Sequence, residues 1–188
     1  MPRVDCWWSY QMSIESDVRR WSREVLEVPN KHLNGFPACP HARQAWRDDA
    51  VAVIETDHIY ADAMGACSSF SKIGKEVVVV ASYAIPDIDE FNEFVDALNT
   101  TFPEVHCMQF HPDYGPEDAE LEFLTDNTWE SEIDEPYCMI FMQDLEPLVQ
   151  ASDRLKQLGY YSAYPEDEYE ALVVDRKERL KKLRESHD

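Results

Sequence analysis

The chain has 188 residues, of which 44% are hydrophobic, and its formal net charge is −21. This length is typical of one domain, and the apolar fraction is large enough to form a core, which excludes a disordered chain. Between Lys75 and Arg154 there is no Lys or Arg, whereas twenty Asp and Glu lie there. A surface of this charge repels phosphates, so we predict no direct nucleic-acid binding and expect cations or a basic protein as partners. A solvated acidic surface or adaptation to salt is the alternative explanation.

The apolar segments and the cysteines of the chain indicate the cellular compartment in which the protein works. No run approaches the roughly 18 apolar residues that a membrane helix needs. The first residues, MPRVDCWWSYQMS, lack the apolar region of a secretion signal. The five cysteines include no CxxC pair, which argues against a zinc ribbon. We therefore predict a cytoplasmic protein with reduced thiols and no membrane attachment.

The first half of the chain predicts a helix, a loop and a strand. A helical stripe begins after Ser13 and ends at Pro29, with apolar residues every three or four positions: Ile14, Val18, Trp21, Val25 and Val28. Residues 30 to 48 have the Gly and Pro content of a loop. Residues 50 to 56 predict a buried strand, and a polar, small-residue stretch follows over 57 to 75.

The second half predicts alternating strands and helices. Strands are predicted at 76–84, 104–110, 137–143 and 160–164, with helices opened by Asp87 and Asp144 and a long acidic loop over 111–135. The order β-α-β, loop, β-α-β is that of a ferredoxin-like sandwich. We predict an α+β fold in a single domain over 1–188. Its core spans 50–164, with an extra N-terminal helix and strand and a C-terminal helix over 165–186.

The segment FPACPHARQAW, residues 36 to 46, places Cys39 and His41 two positions apart across Pro40. Side chains at i and i+2 of an extended segment point to opposite faces. The two residues would therefore reach one metal only if the turn folds sharply. The alternative is a structural turn around a buried thiol, since free cysteine is among the most buried residue types.

His111 lies where a predicted strand ends, and Pro112, Asp113 and Tyr114 follow it. Strand ends that lead into long loops often carry functional residues. Asp113 or a backbone carbonyl could fix the tautomer of His111 and make it a base or a ligand. The alternative is a histidine that anchors the loop by hydrogen bonds to backbone.

Familiar motifs are absent from the chain. The sequence has no GxGxxG, no Walker loop, no HExxH and no GxSxG. Their absence leaves the common dinucleotide, nucleotide-triphosphate, zinc-protease and hydrolase interpretations without support.

Two segments resemble motifs of a known family. LNGFPACPHAR (33–43) resembles an LN-x-CPFA-(K/R) motif, and FHPDY (110–114) resembles an FHP-x-Y motif. Other segments of the same family pattern are resembled by YAIPDIDEFNEFVDAL (83–98), by Asn127 and by Pro136-Tyr137. The family is a bacterial domain-of-unknown-function family, and the resemblance is patchy but spans most of the chain.

The resemblance implies that the motif residues form a site: Cys39, Pro40, His111, Pro112, Asp113 and Tyr114. The chain departs from the pattern in having three extra residues before Cys39 and in having His41 where an aromatic residue is usual. Phe141 and Asp144 stand where the family pattern has polar and basic residues. If those positions bind an anionic substrate, this chain has lost that activity or changed its ligand.

Two functional hypotheses follow. In the first, the chain is a small enzyme or ligand-binding domain for a small molecule. Cys39 is then nucleophile or ligand, His111 is base or ligand, and Asp113 and Tyr114 orient or donate. A transition metal ion held by Cys39, His41 and His111 is one form of this site. In the second, the chain is a non-catalytic acidic interaction or inhibitor protein that binds a basic partner, for example a nucleic-acid-binding protein.

Overall fold

One four-stranded mixed sheet organises the part of the chain that the structure, a computed structural model, describes: residues 13–113 and 137–186. The strands are β1 (Val51–Glu55), β2 (Val77–Ser82), β3 (Val105–Phe110) and β4 (Cys138–Asp144). Their spatial order is β1-β2-β4-β3. β1 pairs in parallel with β2, and β4 is antiparallel to both β2 and β3. The carboxyl ends of β1, β2 and β3 therefore lie along one edge of the sheet, here called the carboxyl edge.

Helices connect and cover the strands. They are α1 (Ile14–Trp21), α2 (Ala42–Arg47), α3 (Ile59–Ser68), α4 (Phe70–Ile73), α5 (Ile88–Thr101), α6 (Leu145–Gln157), α7 (Glu166–Tyr169) and α8 (Asp175–Glu185). A π-helical turn (Ser22–Leu26) continues α1, and another (Glu170–Val174) joins α7 to α8. Within the described ranges, no helix combines the length and the apolar character needed to cross a membrane.

The two faces of the sheet carry separate apolar clusters. Val78 and Val80 of β2 pack in a cluster with residues of α3 and α5, whereas Val79 and Ala81 pack in a cluster with α1. All four side chains are fully buried. The continuous apolar run of β2 thus reflects burial on both faces, as expected of a central strand.

Aspartates begin the two helices that were predicted from their caps. The carboxylate of Asp87 accepts hydrogen bonds from the backbone N–H groups of Asp89 and Glu90 at the start of α5. Asp144 accepts from the N–H of Glu146 at the start of α6. These bonds satisfy N–H groups that have no partner inside the helix, so the predicted helix starts are confirmed.

The predicted combination of helices and one sheet is confirmed, but the predicted strand at 160–164 is wrong. Tyr160–Ala163 forms a 3₁₀ turn. Gly159, at φ 83°, ends α6 in the left-handed region, and the rings of Tyr160, Tyr161 and Tyr164 pack on one another. The position beside β2 that a ferredoxin-like sandwich gives to its last strand belongs instead to β1, in parallel orientation.

Two stretches for which no helix was predicted contain helices. Residues 57–75 include α3 and α4, and residues 30–48 include α2. After Ile59 at its start, the buried side of α3 is made of small residues, Ala63, Ala66 and Cys67. A stripe of small residues gives a weak apolar period, which explains why the pattern did not reveal the helix.

Side chains cover the outer edge of β3. The amide of Asn99 accepts from the N–H of Cys107 and donates to its carbonyl, both at 2.9 Å. The guanidinium of Arg179 donates to Asn99 Oδ1 and to the carbonyl of Val105, both at 2.8 Å. These bonds replace those of a neighbouring strand, so the edge of β3 is protected from pairing with another chain.

Candidate functional site

The carboxyl edge brings together the segments that follow β2 and β3. Residues 83–87 connect β2 to α5, and His111 directly follows β3. In open sheets with parallel strands, ligands bind beyond the carboxyl ends of the strands. The end of β3, where the sequence predicts a functional residue at His111, therefore lies in a part of the fold where ligand-binding sites are common.

His111 joins these two segments through both of its ring nitrogens. Its Nε2 lies 3.0 Å from the carbonyl oxygen of Pro86, and its Nδ1 accepts the backbone N–H of Asp113 at 3.1 Å. A carbonyl only accepts and an N–H only donates, so the ring is neutral with its proton on Nε2. The side chain is fully buried and packs on Phe91, with ring centroids 5.7 Å apart. This geometry is that of a loop-anchoring histidine.

Asp113 does not fix the His111 tautomer through its carboxylate. Its backbone N–H makes the hydrogen bond, whereas Oδ2 is 3.9 Å from Nδ1 and the side chain is exposed. Tyr114, the other predicted donor, lies outside the described residues.

Cys39 lies in a different environment. Its backbone N–H donates to the carbonyl of Leu26 at 3.0 Å, and the neighbouring Ala38 carbonyl accepts from the hydroxyl of Tyr160 at 2.7 Å. The Cys39 segment is thus bonded to Leu26 and Tyr160, whereas His111 is bonded to Pro86 and Asp113. The thiol is half-buried, and burial raises its pKa, against the lowering effect of the backbone N–H groups of His41 and Ala42. A raised pKa leaves less thiolate at neutral pH and does not activate a nucleophile.

His41 is exposed and precedes α2 at its N-cap position. Over residues 13–113 and 137–186, no three His, Cys, Asp or Glu side chains are grouped so that they could hold a metal ion. Cys39, His41 and His111 all lie in these ranges, so the structure does not gather them into one ligand set.

A buried tyrosine–aspartate pair close to the carboxyl edge escaped the sequence analysis. The hydroxyl of Tyr137 donates to Asp17 Oδ2 at 2.6 Å, and only 3% of Asp17 is exposed. Burial, together with the Asp17 carboxylate, raises the pKa of Tyr137. The pair joins α1 to the start of β4 and supports the ring of Tyr83, whose centroid lies 5.0 Å from that of Tyr137. No local pattern could reveal a contact between residues so far apart in the chain.

The outer surface at this edge is both acidic and apolar. α5 exposes four carboxylates, here called the α5 stripe: Asp89, Glu90, Glu93 and Asp96. Directly before α5, Tyr83 is 45% exposed and Ile85 is 42% exposed. The hydrogen bond from His111 to Pro86 fixes this apolar segment against the sheet. Among the described residues, exposed apolar side chains therefore lie next to exposed carboxylates at this edge.

Comparisons with protein-family models, with curated proteins and with solved structures found no match. The resemblance to the bacterial family stays a prediction from the sequence motifs.

Proposed function

We propose that the chain is a non-catalytic binding protein that presents Tyr83, Ile85 and the α5 stripe to a basic protein partner. The observation that carries this proposal is that exposed apolar side chains lie directly before the exposed carboxylates of α5, on a segment that the hydrogen bond between His111 and Pro86 holds to the sheet. No Lys or Arg occurs between residues 75 and 154, so the segments that flank α5 in the sequence add no positive charge to this surface. Arg179 and Lys182 of α8 lie beside Asp96 at the far end of the stripe.

Interface anatomy supports this interpretation. Binding energy concentrates in a few central residues, among which aromatic side chains are enriched, and a polar rim excludes water around them. Tyr83 and Ile85 match such a centre, and Asp87 with the α5 stripe matches an acidic rim. Charge of one sign also accelerates encounter with a partner of the opposite sign. A protein whose own basic surface binds nucleic-acid phosphates has the required charge.

The chemistry of the predicted site residues favours binding over catalysis. A general base needs a free nitrogen, whereas both nitrogens of His111 face backbone groups. A nucleophilic cysteine needs a lowered pKa, whereas burial raises that of Cys39. The hypothesis of a small-molecule enzyme or transition-metal site at these residues would require rearrangement of both segments.

The test begins with immobilised protein and a cell extract. Any retained basic protein is purified, and its Kd is measured at about 50 and about 300 mM salt, a range over which screening of exposed charges increases strongly. The variants are Tyr83→Ala and a triple variant of the stripe, Asp89→Asn with Glu93→Gln and Asp96→Asn. A matched triple variant, Glu166→Gln with Asp167→Asn and Glu170→Gln, removes the same charge from exposed positions of the C-terminal helices.

We expect Tyr83→Ala and the stripe variant each to weaken binding at least about tenfold, as loss of a central residue does. The matched variant should bind like the wild type, and added salt should weaken the wild-type complex. Equal loss in the two triple variants would reduce the effect to net charge and contradict the proposal. So would a partner whose affinity is insensitive to Tyr83→Ala.

A further inference from the structure

Three sulfur atoms from three elements meet in the core between the sheet and α3. Cys67 Sγ lies 3.5 Å from Cys107 Sγ and 3.7 Å from Met142 Sδ. Cys107 and Met142 are directly opposite each other in the register of β3 and β4. Their exposed fractions are 3% for Cys67, 2% for Cys107 and 0% for Met142. We call Cys67, Cys107 and Met142 the sulfur triad.

Two of the separations in the sulfur triad, those from Cys67 to Cys107 and to Met142, are close to what one metal ion would require. A metal at about 2.3 Å from each of three sulfurs holds them roughly 3.8 to 4.0 Å apart. The Cys67 sulfur therefore needs to move only a few tenths of an ångström from its present separations of 3.5 Å from Cys107 Sγ and 3.7 Å from Met142 Sδ. We propose that the sulfur triad binds a soft monovalent metal ion, Cu(I), through two thiolates and one thioether.

The donor atoms select the metal. Thiolate and thioether ligands favour Cu(I), whereas Mg²⁺ and Ca²⁺ need oxygen ligands and structural Zn²⁺ needs four ligands. On binding, Cys67 and Cys107 each release one proton to solvent and form one bond to the metal. No electron is transferred, because copper enters as Cu(I) and stays Cu(I).

The residues around the sulfur triad bear on the charge that the site would carry with Cu(I) bound. One Cu(I) with two thiolates carries a net charge of −1, which is costly to bury without a nearby cation. The hydrogen bond to Cys67 and burial raise the pKa of the Cys107 thiol, and the positive charge of Arg179 acts in the opposite direction. Arg179 is held there by its hydrogen bond to Asn99, whose amide is bonded to the backbone of Cys107. The remaining neighbours in the cluster are apolar, among them Val78, Val80 and Phe91, and they keep water from the metal.

The fold holds the ligands in place before any metal arrives. Two ligands lie on paired strands and the third on a packed helix, so their positions are set by the core rather than by a loop. This site differs from the predicted set of Cys39, His41 and His111. It is also independent of the proposed binding function.

The experiment titrates reduced, metal-free protein with Cu(I) under anaerobic conditions against a chromogenic Cu(I) chelator. We expect one Cu(I) per chain, and a loss of affinity of at least about 100-fold in Cys67→Ser. The matched control is Cys138→Ser, which removes another fully buried thiol of the same core cluster and should leave the affinity unchanged. Met142 lies four residue steps along β4 from Cys138, which corresponds to about 13 Å.

A second variant keeps the test meaningful if Cys67→Ser does not fold. Met142→Leu preserves core volume and both thiols, so it is expected to fold. It should bind Cu(I) at least about tenfold more weakly, and it should lose the rise in Tm that Cu(I) gives the wild type. The proposal is overturned if the wild type fails to compete with the chelator, if Cys138→Ser loses copper as Cys67→Ser does, or if Met142→Leu keeps wild-type affinity.

Discussion

At the scale of single residues, His106 on β3 has an imidazole without the partners that a buried ring usually finds. Both of its ring nitrogens are buried, and neither has a hydrogen-bond partner among the described residues. Burial lowers the pKa of His106 well below the ordinary value of 6.5, and the positive charges of Arg176 and Arg179 lower it further. The ring is therefore neutral in the folded protein at neutral pH.

This neutral ring predicts that stability falls in mild acid. As the pH drops below about 6.5, the unfolded chain binds a proton at His106 that the folded chain does not, so the free energy of unfolding decreases, by at most about 1.4 kcal/mol per pH unit. Above about pH 6.5 the ring is neutral in both the folded and the unfolded chain, so His106 causes no loss of stability there. Urea unfolding at pH 7.5 and pH 5.5 should show a smaller loss in His106→Leu. The exposed His41→Gln should keep the wild-type loss, and an unchanged loss in His106→Leu would contradict this account.

Cys39 should react slowly with alkylating reagents. Burial raises the pKa of its thiol, with a smaller contribution from the Glu27 carboxylate. At pH 7.5 we expect iodoacetamide to modify Cys39 at least about threefold more slowly than an unhindered thiol, because less thiolate is present. Mass spectrometry of the Cys39 peptide measures the rate, and unfolding in urea should restore it. A native rate above that of the free thiol would support the nucleophile hypothesis instead.

At the scale of elements, the clamp on β3 should contribute measurably to stability. Asn99→Ala leaves the N–H and the carbonyl of Cys107 without their partner, which costs about 1–3 kcal/mol for each group left buried and unpaired. The matched control is Thr100→Ala, since Thr100 is exposed and its hydroxyl donates to the carbonyl of Asp96 within α5. Urea unfolding compares the two, and faster hydrogen exchange at the Cys107 amide would locate the effect. Equal stability of the two variants would show that the clamp is dispensable.

Elements with strong local signals could be predicted from the sequence. The strand predicted at 76–84 is Val77–Ser82, and that predicted at 137–143 is Cys138–Asp144, because a continuous apolar run marks burial on both faces. Helices α5 and α6 begin after their predicted caps. Local signals failed at 160–164, where aromatic side chains with strand propensity pack instead on one another.

The contacts that define the candidate sites could not be predicted in the same way. His111 was found because it follows a strand, but its partner Pro86 lies on a different segment that only the sheet order brings near. Cys67 and Cys107 meet for the same reason. Spacing rules describe neighbours on one element, whereas these contacts depend on which strands are adjacent.

At the scale of the whole molecule, the net charge of −21 opposes the compact state. Self-repulsion favours unfolding, and salt weakens it by shortening the Debye length from about 10 Å at 0.1 M to about 3 Å at 1 M. We expect Tm to rise by several degrees as sodium chloride increases over this range. The triple variant of the α5 stripe, which has three fewer charges, should show a smaller rise. A Tm that is independent of salt would show that the charges are too widely spaced to matter.

The position of β4 has a consequence for how the chain folds during synthesis. β4 follows β2 and β3 in the sequence, yet it lies between them in the sheet and pairs with both. A nascent chain that has not yet released β4 from the ribosome can pair β1 with β2 but cannot attach β3. The apolar surface of β3 and α5 must then wait for one late segment, and pairing over such long sequence separations is slow. The growing chain is thus most exposed to aggregation just before β4 emerges.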